Sequence, residues 1–96
     1  MRLLGRDRVA KHQRKHPATR PGLNHWLSAV EGAQWRSFPE LKVTFRSADY
    51  VDPVAVFNVG GNKCRIVALV DFEAQLVQID QVMTHREYDR WSKRRQ

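Results

Sequence analysis

Cysteine, proline and glycine are scarce in this chain of 96 residues, and each scarcity excludes a class of protein. The single cysteine, Cys64, cannot form an internal disulfide, which excludes an extracellular disulfide scaffold and fits a reducing compartment. Four prolines and five glycines exclude a collagen-like or low-complexity chain. No apolar run approaches the roughly 20 residues of a spanning helix, and the N-terminus lacks the apolar block of a secretory signal. We therefore expect a cytoplasmic protein with no membrane partner.

Acidic residues are also few, and the excess of basic residues lies at the two ends of the chain. Seventeen Lys and Arg stand against ten Asp and Glu, a net charge of +7. Residues 1–22 hold seven basic residues and one acidic, residues 23–85 five and seven, and residues 86–96 five and two. Such a field attracts RNA, DNA or an acidic protein, and the binding should weaken as salt rises.

Apolar residues are sufficient for a compact fold, because they make up 42% of the sequence and include three Trp and four Phe. A chain of this length is near the lower limit for a core that supports itself. We expect one domain that spans residues 1–96.

The first third of the sequence predicts two helices. A basic stretch without helix breakers, Arg2 to Lys15, predicts the first. The second runs from about Leu23 to Glu31 and ends at Gly32. Its apolar residues recur at helical spacing, which predicts one face packed on a sheet: Leu23, Trp26, Leu27 and Val30.

The middle of the sequence predicts an antiparallel meander. Trp35 to Phe45 is interpreted as an aromatic connection that ends in a turn or edge strand, and residues 47–53 as a loop. Three strands follow, at Val54–Val59, Lys63–Phe72 and Leu76–Met83, with Gly60 and Gly61 in a tight turn suited to positive φ. On the second strand Arg65 lies on the side opposite the fully apolar face.

The pattern Thr84-x-x-Glu87 is a capping box and predicts a short C-terminal helix from His85 to about Trp91. The predicted fold is therefore α+β, with two N-terminal helices packed on a sheet of three or four mainly antiparallel strands.

Three side chains on this last helix suit acid–base chemistry. His85, Tyr88 and Asp89 stand at i, i+3 and i+4, so they share one face. RNA cleavage needs a base for the 2′-hydroxyl, an acid for the leaving oxygen and a cation for the charge on phosphorus. Arg65 and Lys63 are the candidates for the cation, and the scheme needs no metal.

Each of these residues also has a purely structural interpretation. His85 could be a surface or capping residue, and Tyr88 could pack its ring on the sheet. Asp89 could pair with Arg86 or Lys93. Arg65 could be a solvated strand position.

Metal binding and cysteine chemistry are disfavoured by the sequence. His12 and His16 lie at i, i+4 but lack a third ligand nearby, and Cys64 is isolated on an apolar strand face. Residue spacing alone predicts a basic α+β domain that binds RNA, with catalysis left open.

Several segments resemble the HigB family of bacterial toxins, within the RelE/ParE-like superfamily. They are the Trp35-to-Phe45 segment with its Pro-Glu-Leu-Lys, Ser47-Ala48-Asp49, the Phe57-to-Ala68 hairpin and Val82 to Asp89. The resemblance covers about residues 35–91.

The resemblance implies a RelE-like fold and an mRNA interferase of a type II toxin–antitoxin system. Such a toxin cuts mRNA on the ribosome without a cofactor or metal, and a HigA-like antitoxin neutralises it. The implied catalytic residues are Arg65 for the transition-state phosphate, His85 for acid or base work, and Tyr88 for proton transfer or base stacking. The implied RNA-binding residues are Arg46, Asn58, Asn62, Lys63 and Asp89.

Two further classes of function remain open from the sequence. The same superfamily includes toxins that inhibit DNA gyrase and leave RNA intact. A basic RNA-binding module without catalytic activity also fits the charge and the composition.

Overall fold

The structure, a computed structural model, describes residues 1–61 and 63–94. The helices and strands follow in the order β1 (Arg2–Leu4), α1 (Arg6–Lys15), α2 (Arg20–Glu31), α3 (Phe38–Thr44), β2 (Asp49–Val51), β3 (Val54–Val59), β4 (Cys64–Asp71), β5 (Leu76–Thr84) and α4 (His85–Arg94). A 3₁₀ turn at Pro17–Thr19 joins α1 to α2. The predicted α+β class is confirmed.

The sheet has the strand order β1-β5-β4-β3-β2. Strands β2 to β5 form the predicted antiparallel meander. Strand β1 adds to β5 in parallel and pairs with Leu76, Val77 and Gln78. The sheet therefore has five strands, and the second half of β5 has no strand on its outer side among the described residues.

The two faces of the sheet carry cores of different size. Helices α1, α2 and α3 cover one face and form the main core with it, in which Trp26, Phe57 and Ile66 are at most 1% exposed. The Trp26 and Phe57 rings meet edge to face, with centroids 5.2 Å apart. The other face has a second cluster of four buried residues, covered by Tyr88 and Trp91 of α4: Val54, Val56, Val67 and Met83.

A β-bulge in β5 lets this strand serve both cores. Val67 pairs with Gln81 but Ala68 pairs with Ile79, so Asp80 is the extra residue. Ile79 and Val82 consequently pack toward the main core, while Met83 packs in the second cluster.

The first predicted helix begins later than the sequence indicates. Residues Arg2–Leu4 form β1, and α1 begins at Arg6, because Gly5 turns the chain with a φ of 92°. The second helix begins at Arg20 and includes Pro21 in its first turn, where a missing N–H is tolerated.

The segment interpreted as an aromatic connection contains helix α3, which is a correction to the prediction. Pro39 lies in its first turn, Leu41 is fully buried, and the Trp35 indole donates a hydrogen bond to the Thr44 hydroxyl at 3.0 Å. The segment predicted as a loop likewise contains β2, which extends the sheet beside β3.

None of the described helices is long and apolar enough to cross a lipid bilayer.

Candidate active site

Arg65 lies on β4, on the sheet face that α4 covers. Its register partners are Asn58 on β3 and Met83 on β5, so these residues form a row across three strands. Asn58 is half-buried. Arg65 is only 8% exposed, which contradicts the interpretation of a solvated strand position. The predicted face is correct, but a helix lies over it.

The Tyr88 ring of α4 packs against the Arg65 side chain. The guanidinium carbon of Arg65 lies 5.5 Å from the centroid of the Tyr88 ring, within the range of a cation–π contact. The Tyr88 ring also stacks on Trp91, with centroids 5.6 Å apart and an interplanar angle of 27°. Tyr88 therefore packs on the sheet and contacts the predicted catalytic arginine at the same time.

The predicted capping box fixes the start of α4. The Thr84 amide donates a hydrogen bond to Glu87 Oε1 at 2.8 Å, and the Glu87 amide donates one to Thr84 Oγ1 at 3.1 Å. The hydrogen bond from the Thr84 backbone is the main cause that lowers the pKa of Glu87. Since Thr84 pairs with Cys64, the capping box fixes α4 directly beside the strand that carries Arg65.

His85 and Asp89 form a pair on the exposed part of α4. His85 Nε2 lies 3.8 Å from Asp89 Oδ2, and both side chains are 56% exposed. The partner of Asp89 is thus His85, where the structural alternatives were Arg86 and Lys93. A carboxylate at this distance from an imidazole helps to orient the ring.

The remaining predicted RNA-binding residues do not join these pairs. Lys63 donates a hydrogen bond from Nζ to the Ala18 carbonyl at 3.4 Å, at the junction of α1 and α2. Arg46 is exposed between α3 and β2, and its side chain makes no hydrogen bond or ion pair with a described residue. Asn62 lies outside the described residues.

Spacing did not single out a basic groove of about 300 Å³ between α1, β5 and the start of α4. We call it the α1 groove. Four residues of one face of α1 and the residue directly after the helix line it: Arg8, Lys11, His12, Lys15 and His16. From the other side it is lined by Asp80 of the bulge and by Glu87. The i, i+3, i+4, i+7 recurrence of basic residues on α1 was the sequence signal for it.

His12 is the buried member of this groove. It is 6% exposed, its ring centroid lies 4.6 Å from that of His16, and burial is the first cause that lowers its pKa. Its Nε2 atom is buried without a hydrogen-bond partner in the described part of the chain.

Cys64 is unsuited to nucleophilic catalysis, as the sequence indicated. Burial raises the pKa of its thiol to about 11, so the reactive thiolate is scarce at neutral pH. Within residues 1–61 and 63–94, His, Cys, Asp and Glu side chains form no cluster of three or more with the geometry of a metal site.

Comparison with known proteins identifies the family to which this chain belongs. Residues 19–91 match the family of HigB toxins, described as the RelE-like toxic component of a toxin–antitoxin system. The chain belongs to this family, and the predicted resemblance is confirmed. It is the toxic component of such a system and has an antitoxin as its partner.

Named relatives agree with the family match. The chain is 37% identical over 92 residues to the mRNA interferase toxin HigB of Escherichia coli K12. The aligned segment covers 93% of this chain and 88% of the relative. The mRNA interferases HigB of Escherichia coli O157:H7 and Shigella flexneri match with the same identity and coverage.

Proposed function

We propose that this toxin is a metal-independent endoribonuclease that cuts mRNA on the ribosome and so inhibits translation. The similarity to mRNA interferases over 92 residues carries the proposal. The Arg65–Tyr88 contact supports it, because a cation held in place on a sheet face can stabilise the charge that develops on the phosphate during phosphodiester cleavage. The active unit is a single RelE-like domain of residues 1–96, and its site of action is the cytoplasm.

The chemistry divides among a small set of residues. The 2′-hydroxyl attacks phosphorus and loses its proton to a base, while the 5′-oxygen leaves and gains a proton from an acid. The products are a 2′,3′-cyclic phosphate and a 5′-hydroxyl. His85, oriented by Asp89, performs acid or base work. Arg65 stabilises the negative charge that develops on the phosphate oxygens.

Tyr88 and the polar residues around the hairpin assist cleavage and RNA binding. Tyr88 holds Arg65 and offers a hydroxyl for proton transfer or a ring for base stacking. Asn58, next to Arg65 in the sheet, contacts the RNA. The further RNA contacts of the proposal are Arg46, Asn62 and Lys63.

A cleavage assay with and without ribosomes tests this function. We expect cuts within translated mRNA that persist in excess chelator. Arg65→Lys and His85→Gln should each lower the cleavage rate at least about a hundredfold, as removal of a transition-state contact or an acid–base group does. Arg36→Lys and His25→Gln, both exposed and away from α4, are the matched controls.

Two outcomes would overturn the proposal. A toxin that leaves mRNA intact and instead traps DNA gyrase belongs to the gyrase-inhibiting class. A protein that binds RNA with no cleavage under any ribosome condition is a binding module.

The antitoxin is proposed to be HigA-like and to neutralise the toxin through an acidic surface. The net charge of +7 supports this, because complementary charge speeds association and sets its salt dependence. Association that is equally fast at low and high salt would contradict the acidic surface.

A further inference from the structure

The α1 groove has the features of a ligand site and takes no part in the chemistry assigned to Arg65 and His85. Arg8, Lys11 and Lys15 stand at successive turns of α1 along one wall. All three side chains are exposed, although the Arg8 guanidinium also donates a hydrogen bond to the Ile79 carbonyl at 3.5 Å. The volume of about 300 Å³ lies at the lower end of the range for ligand pockets.

His12 gives a second and independent indication of a ligand. An imidazole that is 94% buried with an unpartnered Nε2 lowers stability relative to an apolar side chain of similar size. A residue with a packing role alone gains nothing from this nitrogen. His12 lines the α1 groove, so this unpartnered nitrogen belongs to a residue of the wall that a ligand would contact.

A second groove continues the first along the exposed half of β5. It is lined by Arg90, Trp91 and Arg94 of α4, and Gln81, Met83 and Glu87 line both grooves. Cations of α1 and of α4 therefore flank one continuous surface. Because Met83 is the register partner of Arg65, this surface runs one strand away from the predicted catalytic arginine.

The mixture of charges in the groove favours RNA over an acidic peptide. Asp80 and Glu87 repel phosphates as well as peptide carboxylates, but they accept hydrogen bonds from the amino groups of bases, which are donors that acidic side chains lack. The exposed His16 ring, which lies beside His12, offers a stacking surface that suits an unpaired base. Phosphates are bound by cations, and bases are bound by hydrogen-bond acceptors and by aromatic rings. The residues that line the α1 groove supply all three kinds of group.

We propose that the α1 groove docks single-stranded RNA next to the cleavage site. Its three cations hold backbone phosphates, and its carboxylates and the His16 ring meet the bases. This inference rests on the proposed function in one respect, since the docked strand is the mRNA that the toxin cuts.

A binding assay with a non-cleavable probe tests docking apart from cleavage. The probe is a short, labelled 2′-O-methyl oligoribonucleotide, which lacks the attacking hydroxyl, and the readout is fluorescence anisotropy of the full chain over a range of salt. Lys11→Gln and Lys15→Gln should each weaken binding several-fold and reduce the slope of log K against log salt by about 0.7. His16→Ala should weaken it about tenfold through lost stacking.

Matched controls lie elsewhere on the surface. Lys42→Gln removes one positive charge from the last turn of α3, and His25→Ala removes one exposed imidazole from α2. Both should bind the probe as the unaltered chain does. Urea unfolding of each variant is the check on folding, and we expect the substitutions at these exposed positions to leave the fold intact.

The outcomes separate this inference from the proposed function. Groove variants that bind the probe as tightly as the controls overturn the docking site, whatever cleavage shows. If they bind RNA normally but lose the antitoxin, the groove is a protein-binding surface and the inference fails. Weakened probe binding in a toxin that never cuts RNA supports the docking site and overturns the proposed function instead.

Discussion

The guanidinium of Arg65 and the ring of Tyr88 are in contact at 5.5 Å, across the space between a central strand and the C-terminal helix. This contact makes the position of α4 and the position of the predicted catalytic cation dependent on each other. A double-mutant cycle measures that dependence directly.

We expect Arg65→Met and Tyr88→Ala to be coupled by about 0.5–2 kcal/mol in the free energy of unfolding, the range of a cation–π contact that is partly removed from water. Urea unfolding of the two single variants and the double variant gives the value. Tyr88→Phe keeps the ring and should retain most of the coupling. Strictly additive single effects would mean that the two side chains do not interact.

The capping box predicts how firmly α4 is held. Thr84→Ala removes the side-chain acceptor of the Glu87 amide and should lower the free energy of unfolding by about 1 kcal/mol. Amide hydrogen exchange should rise first in the opening turn of α4. Ser92→Ala, in the same helix but away from its start, is the control and should leave both quantities nearly unchanged.

We expect the chain to lose stability in mild acid because of His12. Its pKa is lowered in the folded chain by burial and by the neighbouring His16 and Lys15, so below the ordinary value of 6.5 the unfolded chain takes up the proton more readily. The free energy of unfolding should therefore be highest above that pH and fall as the pH drops toward 5. The slope contributed by one proton is at most about 1.4 kcal/mol per pH unit.

The variant His12→Leu isolates this contribution. It should flatten the pH dependence between 7 and 5, whereas His25→Leu, at an exposed position of α2, should leave it in place. An unchanged slope in His12→Leu would assign the effect to other groups.

We expect one methyl group added at Gly5 to have a large effect on the free energy of unfolding. Its φ of 92° is unfavourable for other residues, and a Cβ there would lie 2.7 Å from the Ile79 carbonyl oxygen, with that backbone unable to move away easily. Gly5→Ala should lower the free energy of unfolding by about 2–4 kcal/mol. Gly32→Ala meets nothing closer than 3.6 Å, has a negative φ, and should be neutral or slightly stabilising.

The parts of the fold that follow from local pattern were predictable. Alternation along the chain gave β3, β4 and β5, and the Thr84–Glu87 pair gave the start of α4. Strand β1 was missed because its partner, β5, is distant in sequence, so no local signal identifies Arg2–Leu4 as a strand. Helix α3 was missed because Pro39 suggests a connection, although proline is also favoured in a first helical turn.

For the candidate site, too, the features that depend on local spacing were predictable from the sequence. The i, i+4 spacing placed His85 beside Asp89, and strand alternation placed Arg65 on the face opposite the main core. The contact of Arg65 with Tyr88 depends on how α4 crosses the sheet, and the α1 groove depends on how α1 packs against β5. Neither crossing is encoded in a short stretch of sequence.

The unequal cores on the two faces of the sheet have a consequence for genetic selection. Cells that survive expression of this toxin should carry substitutions of two kinds. Those in the main core, such as at Trp26 or Leu41, would remove the protein by unfolding it, because large buried side chains there contribute several kcal/mol each. Those at polar residues of the face that α4 covers and of α4 itself, such as at Arg65 or His85, would leave an abundant, folded and harmless chain. Sorting survivors by protein abundance would therefore trace the working face of the toxin without any prior assignment of its residues.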